Sequence, residues 1–195
     1  ASGNFPLISS ITVIDNLTYA GNLKNLENLP LSDFEFIRGD ICNQELTDKL
    51  ASRTDAIINF AAESHVDRSI SESKKFVETN VLGVQTLLEV ARLKSVKTFL
   101  QVSTDEVYGS IDQGSWSESH PLLPNSPYAA TKAAADLLAR SYFRTYGLDV
   151  RVTRSSNNYG PRQFPEKFIP LMVTRLMKNL KVPIYGNGQN TRDWI

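Results

Sequence analysis

The sequence predicts an α/β protein built on a parallel, doubly wound sheet, on three observations. Short apolar runs alternate with helical patterns along most of the 195 residues, which points to βαβ units rather than a sandwich. The first visible run ends in Asp15, where such a sheet can offer a carboxylate to a ribose. A Tyr and a Lys four positions apart, Tyr128 and Lys132, open a late helical pattern. With 41% hydrophobic residues the chain can bury a substantial core, as one domain or as one domain plus part of another.

In chain order, strands are expected at residues 11–15, 34–38, 56–60, 98–103 and 150–154, each a short apolar run. Helices are expected at 23–29, 45–51, 71–94, 128–146 and 168–179. The longest of them carries Phe76, Leu82, Leu87, Leu88, Val90 and Ala91, and the 128–146 pattern carries Ala133, Leu137, Leu138 and Tyr142. That is more apolar surface than one sheet face requires, so these two helices are expected to form a homodimer interface.

The two ends complicate the pattern. A doubly wound nucleotide fold begins with a strand and a Gly-rich turn, because bare backbone lets a pyrophosphate sit at a helix N-terminus. Residues 1–10 hold one glycine, Gly3, and read as the tail of a helix plus a loop. Residues 191–195 stop as a new apolar segment begins. The expectation is a piece truncated at both ends and inactive by itself. Residues 1–155 would form a Rossmann-like domain without its first strand and Gly-rich turn, and 156–195 the start of a small substrate-binding domain.

Composition narrows the class of function. With 21 basic and 21 acidic residues, nothing favours a nucleic acid or an acidic membrane as partner. The single cysteine, Cys42, excludes an internal disulfide and makes a reducing cytoplasm the default. No apolar run approaches the roughly 18 residues of a membrane span, and no signal peptide is visible. No metal is expected.

The chemistry concentrates between Val102 and Lys132. Tyr128 and Lys132 share one helix face, so the ammonium can lower the phenol's pKa and make it a base. Thr104-Asp105-Glu106 follows an apolar run and adds a second acid and base. That is one proton-transfer set more than a simple alcohol dehydrogenase needs. Taken singly, the two carboxylates could cap a loop, Tyr128 could be an ordinary residue after Pro127, and Lys132 a solvated charge. Asp15 can accept from both adenosine ribose hydroxyls and would repel a 2′-phosphate, which favours NAD over NADP; otherwise it caps the turn Asn16-Leu17-Thr18. Asp40 and Ile41 fit an adenine edge, and Phe60, Ala61 and Ala62 would let a dinucleotide lie close to the backbone. Thr79 and Asn80 face either the cofactor or neighbouring backbone.

These residues carry a resemblance. Ser103 or Thr104 with Tyr128 and Lys132 resembles the catalytic set of the extended short-chain dehydrogenase/reductase family. Four segments, residues 15–22 (Asp15-Asn16-Leu17-Thr18 onward), 61–69 (Ala61-Ala62-Glu63-Ser64-His65 onward), Thr104-Asp105-Glu106 and 155–161 (Ser155-Ser156-Asn157-Asn158 onward), resemble its nucleotide-sugar branch in order and spacing. The likeness covers nearly all of residues 11–195. It implies NAD as cofactor, held by residues 15–18, Asp40, Ile41, residues 60–62, Ser64, Thr79, Tyr128, Lys132 and Asn158. It implies dTDP-glucose as substrate, with Ser64, Thr104, Asn157, Lys167, Phe168, Pro183, Ile184, Tyr185 and Arg192 lining its pocket. The implied reaction is a 4,6-dehydration. Tyr128, aided by Lys132 and Thr104, would take the 4-hydroxyl proton as C4 is oxidised. Glu106 would then remove the C5 proton, and protonated Asp105 would donate to the departing C6 hydroxyl. Neighbouring carboxylates would split their pKa values by mutual repulsion. UDP-glucose dehydration, 4-epimerisation, decarboxylation and an inactive binding module stay open; the carboxylate pair argues against the epimerase and the decarboxylase.

Overall fold

The computed structural model describes residues 8–30, 32 and 34–195. The start of the expected helix tail at residues 1–7 lies outside them. Five strands form where the apolar runs lie: β1 (Thr12–Asp15), β2 (Glu35–Arg38), β3 (Ala56–Asn59), β4 (Thr98–Thr104) and β5 (Val150–Ser155). All pairings are parallel. β1 and β2 pair with Thr12 opposite Glu35, and β4 lies between β3 and β5, with Ala56 opposite Thr98 and Phe99 opposite Val150. The sheet therefore comes in two pieces among the described residues, with β2 outside β1 on one side and β3-β4-β5 on the other.

Parallel neighbours need crossovers, and helices supply them. Helix α1 (Gln44–Ala51) follows β2 and starts where Asn43 accepts the Leu46 amide at 3.1 Å. Between β3 and β4 run α2 (Val66–Ser71), α3 (Ser73–Val77), a π-helical turn (Glu78–Gly83) and α4 (Val84–Leu93). Helix α5 (Pro127–Tyr146) joins β4 to β5; Ser126 caps it, Pro127 suits its first turn, and Gly147 ends it with φ 71°. Helix α6 (Phe168–Met177) comes last. The core lies between α1, α4 and α5 and the strands, around Ile41, Leu87, Leu88, Phe99, Ala135, Ala139 and Tyr142.

Two expected helices differ. The helix at 71–94 is interrupted: Glu72, at φ −132° and ψ 48°, breaks the ladder between α2 and α3, and a widened turn then separates α3 from α4. The helix at 23–29 is a 3-10 turn at Leu23–Leu26, capped by Asn22 in a stretch whose asparagines compete with helical backbone bonds. Much of the apolar surplus is also consumed inside the chain. Phe76, Leu87, Leu88, Val90, Ala91, Ala133 and Tyr142 are buried as α4 and α5 pack together, while Leu82 and Leu137 stay about half exposed.

Candidate active site

The carboxyl ends of β1, β2 and β3 open onto one crevice where the two sheet pieces face each other. Ile14, Asp15, Asn16, Thr18, Gly39, Asp40, Ile41, Ala61, Ala62, Glu63 and Thr79 line it. A crevice at the carboxyl ends, where strand order reverses, is where doubly wound sheets bind ligands. One Asp15 oxygen accepts the Leu17 amide at 2.6 Å, so the turn-capping role is occupied while Asp15 still lines the crevice. Leu17 sits at φ 52°, a strained conformation for a branched side chain. Asn16 donates to Asp40 at 2.9 Å, tying the ends of β1 and β2 together. Phe60 is 74% exposed, and neither it nor Leu17 is among the residues lining the crevice. Small Ala61 and Ala62 leave room for a flat ligand.

The proton-transfer set gathers at the end of β4. The strand delivers Thr104 buried; its hydroxyl caps the next turn by accepting the Glu106 amide and lies 3.3 Å from an Asp105 oxygen. Asp105 and Glu106 open a 3-10 turn that ends at Tyr108. Gly109 follows at φ 89°, and a Cβ there would lie 2.3 Å from the Leu123 carbonyl oxygen, so only glycine lets the chain leave this turn. Burial raises the Asp105 pKa. Burial first, and the Asp105 charge second, raise that of Glu106, while Arg192 and Lys167 draw it down. Desolvation, more than the expected mutual repulsion, therefore perturbs the pair.

Tyr128 is buried at the start of α5, and its pKa is raised by burial and by the Glu106 and Asp105 charges, against a lowering by the Thr104 hydroxyl. The expected acidification by Lys132 is absent. Lys132 shares the helix face, but its ammonium donates to the Val102 carbonyl at 2.6 Å, and burial lowers its own pKa. The physical reason is long-range: β4 presents a carbonyl to the ammonium from 30 positions away.

The remaining expected residues divide. Lys167 donates to the Ser64 carbonyl and hydroxyl at 3.1 and 3.2 Å, joining two of them beside Glu106. Arg192 comes near enough to the carboxylate pair to lower both pKa values, although its hydrogen bond goes to the Thr191 carbonyl. Asn157 bridges to Trp194 through backbone, and Asn158 bonds locally to Ser155 and Ser156. Phe168 packs against Trp194 at 5.9 Å. Pro183, Ile184 and Tyr185 form a non-regular stretch, with Ile184 and Tyr185 exposed.

Of the two roles open to Asn80, the structure shows the backbone one: buried in the π-helical turn, it bonds both the amide and carbonyl of Glu63, and also the Thr131 hydroxyl. Two groups were not expected. Asp136 and Arg154 pair at 2.8 Å behind Lys132; the i, i+4 spacing from Lys132 to Asp136 is the one signal in the sequence that could have found it. Glu166 gathers Tyr19, Arg68 and His65. Among the described residues no cluster of His, Cys, Asp or Glu could hold a metal, and no helix is long and apolar enough to cross a membrane.

A parallel sheet with this crevice, and a Tyr-x-x-x-Lys helix against a Thr-Asp-Glu strand end, defines a Rossmann-like protein of the short-chain dehydrogenase/reductase type. The chain belongs to the GDP-mannose 4,6 dehydratase family, which residues 8–195 match. It is 58% identical over 189 residues to a dTDP-glucose 4,6-dehydratase of an Actinoplanes species, covering 96% of this chain and 59% of that protein. It superimposes with TM-score 0.94 and 56% identity on a crystal structure of a Streptomyces venezuelae dTDP-glucose 4,6-dehydratase with NAD bound, covering 95% of this chain and 58% of that one. A UDP-glucuronic acid 4-epimerase from Bacillus cereus shares the fold at TM-score 0.88 and 29% identity, over 95% of this chain and 60% of that one. The chain thus spans just under three fifths of the dehydratases it matches.

Proposed function

We propose that the protein carrying this sequence is an NAD-dependent dTDP-glucose 4,6-dehydratase that forms dTDP-4-keto-6-deoxyglucose. The observation that carries the reading is the desolvated Asp105/Glu106 pair beside Tyr128, a set with more proton-transfer groups than oxidation at C4 alone requires. The likeness to dTDP-glucose 4,6-dehydratases supports it. The lining of the crevice suits NAD in its chemistry, with carboxylates at the ends of β1 and β2 and alanines beyond β3. Asp15, Asn16, Thr18, Asp40, Ile41, Ala61, Ala62 and Thr79 would hold it, with Tyr128 and Lys132 at its reactive end. Bound NAD would supply the temporary oxidant of C4 and the reductant of C6.

The chain's own residues move the protons. Tyr128 takes the proton of the 4-hydroxyl, with Thr104 beside the phenol as the group that eases its ionisation. The resulting ketone acidifies the C5 proton, which Glu106 removes. Asp105, whose pKa burial raises, gives its proton to the C6 hydroxyl, which leaves as water. C5 then regains a proton. Arg192 and Lys167, the cations nearest the pair, suit the substrate diphosphate.

Residues 1–155 serve as the cofactor domain and 156–195 begin the substrate domain. Two copies pair through the helical segment 71–94, which ends in α4, and through α5, using Leu82 and Leu137, in the cytoplasm. Incubating the full-length protein with NAD and dTDP-glucose tests the chemistry: a 4-keto-6-deoxy sugar supports it, whereas the C4 epimer alone, or turnover only of UDP-glucose, sinks it. A monomeric mass by analytical ultracentrifugation would remove the dimer.

A further inference from the structure

We propose that Asp136 and Arg154 form a buried positioning pair that ties the Tyr128/Lys132 helix to the Asp105/Glu106 turn and sets a carboxylate one helical turn from Lys132, an inference that rests on the function proposed above. Asp136 lies one helical turn beyond Lys132 and is 2% exposed. Its Oδ2 accepts from Arg154 Nε at 2.8 Å. From the same guanidinium, Nη1 donates to the Tyr108 hydroxyl at 2.7 Å, and the guanidinium carbon lies 5.1 Å from the Tyr108 ring centroid. Tyr108 closes the turn that Asp105 and Glu106 open, and it stacks on Trp116 at 5.7 Å. One side chain on β5 thus grips both the helix that carries the phenol and the turn that carries the carboxylates.

A buried ion pair is a weak way to gain stability, because desolvation offsets much of the attraction. Its value here is register and charge. Lys132 is 5% exposed, and Asp136 is the charge that opposes the effect of its burial. The groups facing Lys132 are Asp136 on α5 and the Val102 carbonyl on β4. Those facing Asp136 are Lys132, Arg154 on β5 and Ser103 on β4. Those facing Tyr128 are Thr104, Asp105 and Glu106. Burial pushes Asp136 toward its neutral acid and Arg154 holds it back. Losing either partner therefore strips Lys132 of its counter-charge, and losing Arg154 also frees Tyr108.

The test is an NMR titration of the Lys132 ammonium in isotopically labelled full-length protein, alongside the pH profile of C4 oxidation. Asp136→Asn is expected to lower the Lys132 pKa and to move the alkaline limb of the profile to lower pH, with KM for the nucleotide sugar little changed. Asp136→Glu should restore both, and Asp136→Asn with Arg154→Met should shift the titration no further than Asp136→Asn does, as coupled partners do. An unshifted Lys132 titration in Asp136→Asn overturns the pair. If that variant does not fold, Arg154→Lys decides. It keeps a cation for Asp136 but loses the fork to Tyr108, so Lys132 should titrate unchanged while exchange of the C5 proton slows about tenfold. Unchanged exchange, or a shifted Lys132, would then overturn it. Absence of turnover in the unsubstituted protein counts against the proposed function and leaves the Lys132 titration to decide the pair.

Discussion

At Glu106, burial and the Asp105 charge raise the carboxyl pKa while Arg192 and Lys167 pull it down. The sign of the effect on stability follows. A carboxyl whose folded pKa lies above its unfolded value favours the fold when protonated, and that contribution is lost as pH rises through the folded pKa. Glu106→Gln should therefore melt at a higher temperature than the parent near neutral pH. The gain should vanish once pH falls below the ordinary carboxylate range, where both proteins are neutral at this position. The same substitution should slow elimination by about 10²- to 10⁴-fold and leave oxidation at C4 intact, seen as NADH that accumulates without product. A lower melting temperature at neutral pH would mean that the charged form of Glu106 is well solvated. The residue scale is also where sequence reasoning reached furthest and then stopped. Spacing alone put Tyr128 and Lys132 on one face, but the acceptor for Lys132 is a carbonyl on β4, which no local pattern announces.

Among the elements, the segment between β3 and β4 departs most from expectation and is the best evidence that tertiary contacts override a helical pattern. Its apolar periodicity is real, since Phe76, Val84, Leu87, Leu88 and Ala91 are all buried. Periodicity does not report a widened turn, however, because one extra residue per turn leaves the apolar face nearly continuous. Within that turn Asn80 is 1% exposed and joins three structures: the loop after β3, through both backbone groups of Glu63; α5, through Thr131; and its own helix. Asn80→Ala should cost about 1–3 kcal/mol, because it leaves buried donors and acceptors unpaired, and thermal denaturation would record a fall of a few degrees. Asn80→Asp should cost more, since it keeps an acceptor for the Glu63 amide but deletes both donors and buries a charge. An alanine variant as stable as the parent would mean that water replaces the amide.

For the molecule as a whole, alternation of strand and helix was legible and the connection between distant segments was not. The five strands fall within a residue or so of the apolar runs because each is a short apolar run, and β4, paired on both sides, alternates buried positions such as Phe99 and Gln101. The contacts that bring residues 158–167 back onto the opposite half of the fold depend instead on side chains far apart in sequence. Glu166 accepts from the Tyr19 hydroxyl at 2.8 Å and from Arg68 at 3.5 Å, and lies 3.8 Å from His65. Arg68 covers the Tyr19 ring at 3.8 Å, Phe164 meets that ring edge-on, Lys167 holds Ser64, and Arg162 donates to the Asn25 carbonyl. Burial and Glu166 together push the Tyr19 phenol up to about 12, so it stays a donor across the physiological range. These contacts fasten the loop after β1 and the start of α2 to the segment that delivers Lys167 toward the carboxylate pair. Glu166→Ala removes the common acceptor and leaves Tyr19 and Arg68 without their partner. Local opening of residues 158–167 should become easier, so limited proteolysis within that segment should run roughly tenfold faster while global melting moves little. Lys167 would then be held less firmly, and KM for the nucleotide sugar should rise more than kcat falls. Equal proteolysis of the two proteins would mean that the aromatic contacts of Tyr19 hold the segment without the carboxylate.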